Sequence, residues 1–317
     1  MTPPIPAPPT TAAATTATRA GAGAAPSRTA RPGPHGARWW REVGWRHGVA
    51  LLAVAFAVFP VLFILSAAFN PLGTIASTGL VPRQFTLSNF TRLLSGERGP
   101  FVRWYANTVV LCLVVSCAQV FASALAAYAF SRFRFRGRRG GLLSLLLIQM
   151  FPQFLAVIAI FSMFSGVGEV VPAAGLNTLV GYGLVLMGGA LLHVWLIKGF
   201  FDTVPRELDE AATIDGASHA QVFFRIVLPL IAPILATTAL LSFVGVINEF
   251  LIAGIFLTDD ESKTLAVGLY GIIDSDRSNN LGLFAAGAVL FSVPVVLLFQ
   301  FLQRFITGGL TAGSVKG

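Results

Sequence analysis

Six long apolar runs decide what this chain can become. They lie near residues 49–69, 105–130, 141–165, 180–198, 228–257 and 281–305, and at 1.5 Å per helical residue each can reach across a hydrocarbon layer of roughly 30 Å. In lipid the backbone must satisfy its own polar groups, so spanning segments are helices or closed barrels. Continuous rather than alternating runs select helices. Pro60, Pro152, Pro229, Pro233 and Pro294 fall inside or at the start of these runs, where packed neighbours tolerate a missing backbone hydrogen bond. The expected fold class is an all-α membrane protein with six transmembrane helices.

Composition agrees. With 317 residues, 55% hydrophobic and 11% charged, the chain has more apolar surface than one soluble core can hide. The net charge of +8 does not imply a nucleic-acid partner, because the basic residues cluster between apolar runs instead of along one polar face. They act as topology signals. With the N-terminus inside, 16 Lys and Arg lie on the inner side and 6 on the outer side, which places both termini in the cytoplasm.

Residues 1–38 are dominated by Ala, Thr, Pro, Gly and Arg, with no acidic residue, and so little large apolar surface predicts a disordered cytoplasmic tail. It lacks the apolar stretch of a signal peptide. Residues 39–48 carry Trp39, Trp40 and Trp45 beside Arg41 and Arg46, a composition suited to an interfacial segment. The transmembrane domain is expected over 49–306 and a cytoplasmic C-terminal tail over 307–317. Cys112 and Cys117, five positions apart in one run, point in different directions on a helix and read as small apolar residues.

The inner loop over 199–227 differs from a passive connector. Leu208, Ala211, Ala212 and Asp215 lie at helical spacing, Pro205 stands ahead of them, and Gly216 can adopt the positive φ that ends a helix. A short helix, a sharp turn and a second helix follow. Such a polar hairpin suits docking of a soluble partner, or a helix resting on the membrane interface.

Glu210-Ala211-Ala212, three residues, Gly216, nine residues, Ile226, one residue, then Leu228-Pro229 resembles the cytoplasmic EAA signature of ATP-binding-cassette import permeases, every element at its spacing. The resemblance implies an ABC type I importer permease fold in which this loop is a coupling helix seated in a cleft of an ATPase subunit. Glu210, Ala211, Ala212, Asp215 and Gly216 would carry the ATPase coupling. Small alanines permit close approach, a glutamate offers an ion-pair acceptor, and glycine permits the turn.

Over residues 45–317 the chain is similar to MalG-type carbohydrate permeases. The stretches that carry this are Gly175 to Thr178, His193 to Gly199, Thr264 to Gly268, and the chain end Gly309 to Gly317. The implied partners are a MalF-like second permease subunit, two ATP-binding subunits, an extracytoplasmic solute-binding protein, a maltose or maltodextrin substrate, and lipid. The implied location is the bacterial cytoplasmic (inner) membrane. The N-terminal extension departs from the pattern and has no assigned role.

Asn248 and Glu249 lie in the fifth run, where a charge is costly and faces a pathway, another helix, or a break in the span. His193 reads as a hydrogen-bonding partner of another helix and not as a catalytic or metal site. The outer loop over 258–280 holds Asp259, Asp260, Glu261, Asp274 and Asp276, with Tyr270. By composition it is a solvated loop; by resemblance Asp259, Asp260, Glu261 and Tyr270 contact the solute-binding protein. No Gly-x-x-x-x-Gly-Lys-Ser/Thr phosphate loop occurs, so no cofactor is expected on this chain and ATP is used by partner subunits. A permease for another oligosaccharide such as trehalose, a secondary transporter and a non-transporting membrane scaffold are the competing readings.

Overall fold

The computed structural model describes residues 43–71, 74, 78–82, 84–276 and 279–312. The tail over 1–38, Trp39 and Trp40, and residues 313–317 lie outside the described residues. The chain divides into two compact units, Met1–Phe56 and Ala57–Gly317. In the first, the described residues form the start of helix α1 (Trp45–Phe69), and the Arg46 guanidinium lies 5.8 Å from the Trp45 ring.

The second unit completes α1 and holds α2 (Ser88–Leu94), α3 (Phe101–Arg132), α4 (Arg138–Met150), α5 (Val157–Val170) and α6 (Leu179–Phe201). It continues with α7 (Glu207–Ile214), α8 (His219–Leu230), α9 (Ala232–Asn248), α10 (Leu251–Phe256), α11 (Leu265–Ser275) and α12 (Leu281–Ala312). No strand occurs among the described residues. Among the described residues four helices, α1, α3, α6 and α12, are long and apolar enough to cross a membrane, and α8 with α9, bent by 80°, makes a fifth if joined.

Two expected spans are not continuous. The run at 141–165 divides into α4 and α5, each too short to span. Pro152 disfavours helical geometry at the residue before it, and Phe151 is extended at φ −74°, ψ 125°. The run at 228–257 is bent at Ile231 and broken at Glu249, which is extended at φ −74°, ψ 109°. By contrast Pro60 and Pro294 sit inside unbroken α1 and α12, and α12 runs past its expected end at 305 to Ala312.

Packing centres on α3, which lies along the C-terminal half of α6 and along α9, with α9 in turn against α12. Ala124 and Ala127 on α3 are buried against Val194, Ile197 and Phe201 of α6. In lipid, helix association rests on close van der Waals fit more than on expulsion of water, so small residues at the contact matter. A second cluster at mid-depth joins Leu111, Val115, Tyr182, Phe243 and Phe256. A third, toward the start of α3, gathers Trp104, Leu265, Leu269 and Leu283. A Cβ at Gly268 would fall 2.1 Å from the Trp104 ring, so only glycine allows α11 so close.

Nearly every side chain of α1 from Leu51 to Leu65 is exposed. That surface has no counterpart in a soluble fold and is what a helix facing lipid presents.

Candidate functional site

The hairpin over 199–227 is built in three steps. α7 starts two residues after Pro205; its end is set by Gly216 at φ +86°, whose amide and that of Ala217 bond back to the Thr213 and Ala212 carbonyls at 3.0 and 2.9 Å. Ser218 then opens α8 with a capping box, its hydroxyl accepting from the Gln221 amide while the Gln221 side chain accepts from the Ser218 amide. Over Val222–Val227 the helix widens to π geometry, a form that concentrates at functional sites.

α7 presents two faces. Ala212 is buried in the cluster that includes Tyr128, Val204, Phe223 and Val227. Asp209 points the same way, and its Oδ2 lies 2.6 Å from Nε of Arg132 at the end of α3, with side chains only 18% and 6% exposed. Arg132 also donates to the Val204 carbonyl at 3.0 Å, and Arg206 donates to the Ser131 carbonyl at 2.8 Å. Asp202 accepts from Ser131 and Lys198. Partial burial pushes its carboxyl up, but these bonds outweigh burial and hold it below the ordinary aspartate range, so the tether weakens only as pH falls through that lowered value.

The opposite face is open. Glu210, Ala211, Asp215 and Gly216 are exposed, as are the apolar Leu208 at 42% and Ile214 at 86%. Glu210 forms no ion pair among the described residues. Beside it is a cavity of about 360 Å³ lined by Tyr128, Arg132, Arg206, Glu210, Ile214 and His219, among others.

Outside this hairpin, the loop after α10 is held in place by its backbone. Asn177, at φ +58°, accepts from the Thr258 and Asp259 amides through its side-chain oxygen. The Trp104 indole donates to the Asp260 carbonyl at 2.7 Å, and Asn107 donates to the Glu261 and Lys263 carbonyls. Asp259, Asp260 and Glu261 therefore project from a pinned turn rather than a free loop. Asp260 pairs with Lys263 at 2.5 Å and Glu261 lies 3.7 Å from Arg103. Tyr270 is not in a loop but on α11, its ring 4.9 Å from Phe250.

Glu249 stands at the break between α9 and α10, half-buried. Its carboxylate accepts from the Ile252 and Ala253 amides at 2.7 and 3.0 Å, so it caps α10, and it also accepts a short hydrogen bond from the Tyr182 hydroxyl of α6. Asn248 is exposed and lines a separate cavity with Thr108, Phe250 and Tyr270. The structure thus separates Asn248 from Glu249. His193 departs from expectation: it is buried and borders a cavity, and it makes no hydrogen bond to another helix among the described residues.

Sequence reasoning did not single out Asp209 with Arg132, Tyr182, or a polar set at mid-depth. In that set Gln119 donates to the Leu186 carbonyl at 2.6 Å and accepts from Ser242, and Ser123 donates to the Ala190 carbonyl at 2.7 Å. Polar side chains within otherwise apolar runs were the available signal. Among the described residues no group of three or more His, Cys, Asp or Glu could hold a metal ion.

Comparison with known proteins agrees with this architecture. Residues 119–311 match the family described as binding-protein-dependent transport system inner membrane component. The galactooligosaccharides transport system permease protein GanQ of Bacillus subtilis (strain 168) is 38% identical over 271 residues, covering 85% of this chain and 93% of that protein. The maltose/maltodextrin transport system permease protein MalG of Escherichia coli (strain K12) is 38% identical over 282 residues, 86% of this chain and 95% of that one. The maltodextrin transport system permease protein MdxG of B. subtilis is 39% identical over 269 residues, 85% and 94% of the two chains. Among solved structures, a chain of a bacterial ABC transporter involved in import of the acidic polysaccharide alginate superposes with a TM-score of 0.69 at 22% identity, over 86% of this chain and 99% of that one. A chain of the MetNI methionine ABC transporter gives a TM-score of 0.51 at 16% identity, over 71% and 99%.

Proposed function

The chain belongs to the family of binding-protein-dependent transport system inner membrane components, and on that footing we propose that it is the sugar-translocating permease subunit of a bacterial ATP-driven importer. The sugar class is maltose or maltodextrin, with related oligosaccharides such as trehalose as the alternative. It is a transport subunit, not an enzyme; ATP is hydrolysed by two partner subunits. A MalF-like second permease and an extracytoplasmic solute-binding protein complete the assembly in the cytoplasmic membrane. The chain crosses six times, the third and fifth crossings being the interrupted pairs α4/α5 and α9/α10, with both termini in the cytoplasm.

The observation that carries this reading is the two-faced hairpin. Its outer face offers Glu210, Ala211, Leu208 and Ile214 to a soluble partner, while Asp209 and Ala212 lock its inner face to the end of α3. A partner that moves α7 therefore pulls on α3 through an ion pair and a packed cluster. The π segment and the bend at Ile231 give α8 room to rotate against α9. In this way closure of the ATPases is turned into alternating access. The acidic turn at Asp259 to Glu261 and Tyr270 face the solute-binding protein.

Ile214→Cys tests the docking directly. In the assembled complex, a cysteine placed there and one in the ATPase cleft are expected to form a cross-link, and Gly216→Pro, which cannot hold φ +86°, is expected to abolish it. Equal cross-linking in both backgrounds would reject this face as the ATPase contact.

A further inference from the structure

We propose that the cavity bordered by the two interrupted helices is a subsite for an uncharged polyhydroxylated ligand, with His193 and Gln149 as its contacting side chains. The proposal rests on the sugar-permease reading above and assigns this subunit a share of the recognition. The cavity measures about 410 Å³ and includes Gln119, Gln149, Phe151, His193, Ser242 and Ile252 in its wall. That lies within the range of small-molecule sites.

Three independent features point to a ligand. First, the wall includes Phe151 and Ala156, which flank the turn between α4 and α5, and Ile252 just past the break at Glu249. Irregular backbone at membrane depth persists only where it is buried in protein or lines an aqueous cavity, and here two breaks border the same one. Second, the polar inventory is fixed but incomplete. Gln119 is held by Leu186 and Ser242, and a Cβ at Gly189 would fall 2.7 Å from its amide nitrogen, so the backbone has cleared space for it. Gln149 spends one donor on the Leu191 carbonyl at 2.6 Å, and its carbonyl oxygen has no donor among the described residues. His193 is 6% exposed and unpartnered among the described residues. A neutral imidazole offers one donor and one acceptor, and an amide oxygen accepts; together they match vicinal hydroxyls. Third, among the described residues no Asp, Glu, Lys or Arg lines the cavity. Neither a carboxylated sugar nor an ion would find a countercharge there, so the chemistry favours a neutral saccharide, with Phe151 available as an apolar wall.

The test uses the complete transporter in proteoliposomes and maltotriose as the probe. His193→Leu and Gln149→Leu should each raise the KM for uptake roughly 5- to 10-fold, as expected for one lost hydrogen bond, while His193→Gln recovers most of the affinity. Unchanged KM in both leucine variants would overturn the subsite. A second measurement does not depend on those variants folding. Gly245 borders the cavity and a Cβ there meets nothing within 4 Å, so Gly245→Cys in a Cys117→Ser background is readily accommodated. Maltotriose, but not a galacturonate trimer, should slow its reaction with a membrane-permeant maleimide. Equal protection by both, or by neither, would overturn the proposal. Uptake by the native complex tests the sugar-permease reading separately, so the two failures are distinguishable.

Discussion

Asp209 and Glu210 are adjacent acids with opposite duties. Asp209 faces inward onto Arg132, and Glu210 faces outward. Helical spacing grouped Leu208, Ala211, Ala212 and Asp215, yet of these the structure buries only Ala212. The packed face was not legible because it is set by the end of α3, far away in sequence. Removing one partner of a buried pair leaves the other charge uncompensated. Asp209→Asn is therefore expected to destabilise the hairpin by about 3 kcal/mol, and Glu210→Gln by well under 1 kcal/mol, as usual for exposed positions. Thermal unfolding of the purified complex measures both. The double variant Arg132→Met with Asp209→Leu should be less damaging than Asp209→Asn; equal stability of the single acid variants would contradict the assignment.

Among elements, the hairpin was the most legible, since Pro205 and Gly216 are local signals that tertiary contacts did not override. The interruptions were harder to read. Nothing charged marks the break in 141–165, and a proline alone does not decide, as Pro60 and Pro294 lie in intact helices, whereas in 228–257 Glu249 did mark a possible break. What breaks the fifth run is Glu249, which exchanges a helical position for capping α10 and meeting Tyr182. Glu249→Leu should strand the Ile252 and Ala253 amides and cost about 1 to 3 kcal/mol, whereas Glu249→Gln keeps an acceptor and should cost less. Denaturation in detergent compares the two, and a harmless Glu249→Leu would argue against the cap. Mid-depth polar residues such as Gln119 and Ser242 were visible in the sequence, but their convergence on one cavity required the packing of α3, α6 and α9.

For the whole molecule, apolar runs and the inner excess of Lys and Arg carried the fold class, because lipid leaves the backbone few options. The same excess of inner Lys and Arg predicts both termini in the cytoplasm, so reporters fused to either end should be active only on that side; a reporter active outside would overturn the topology. On the proposed reading the scales are united by transmission, from a docked hairpin through Asp209 and Arg132 into α3 and so to the cavity walls. The most direct test is ATP-driven uptake of labelled maltotriose by proteoliposomes holding the native complex, Glu210→Lys or Gly216→Pro. Uptake by the native complex, lost in both variants although the membrane subunits still assemble, is the predicted result; undiminished uptake in Gly216→Pro would contradict coupling through the hairpin.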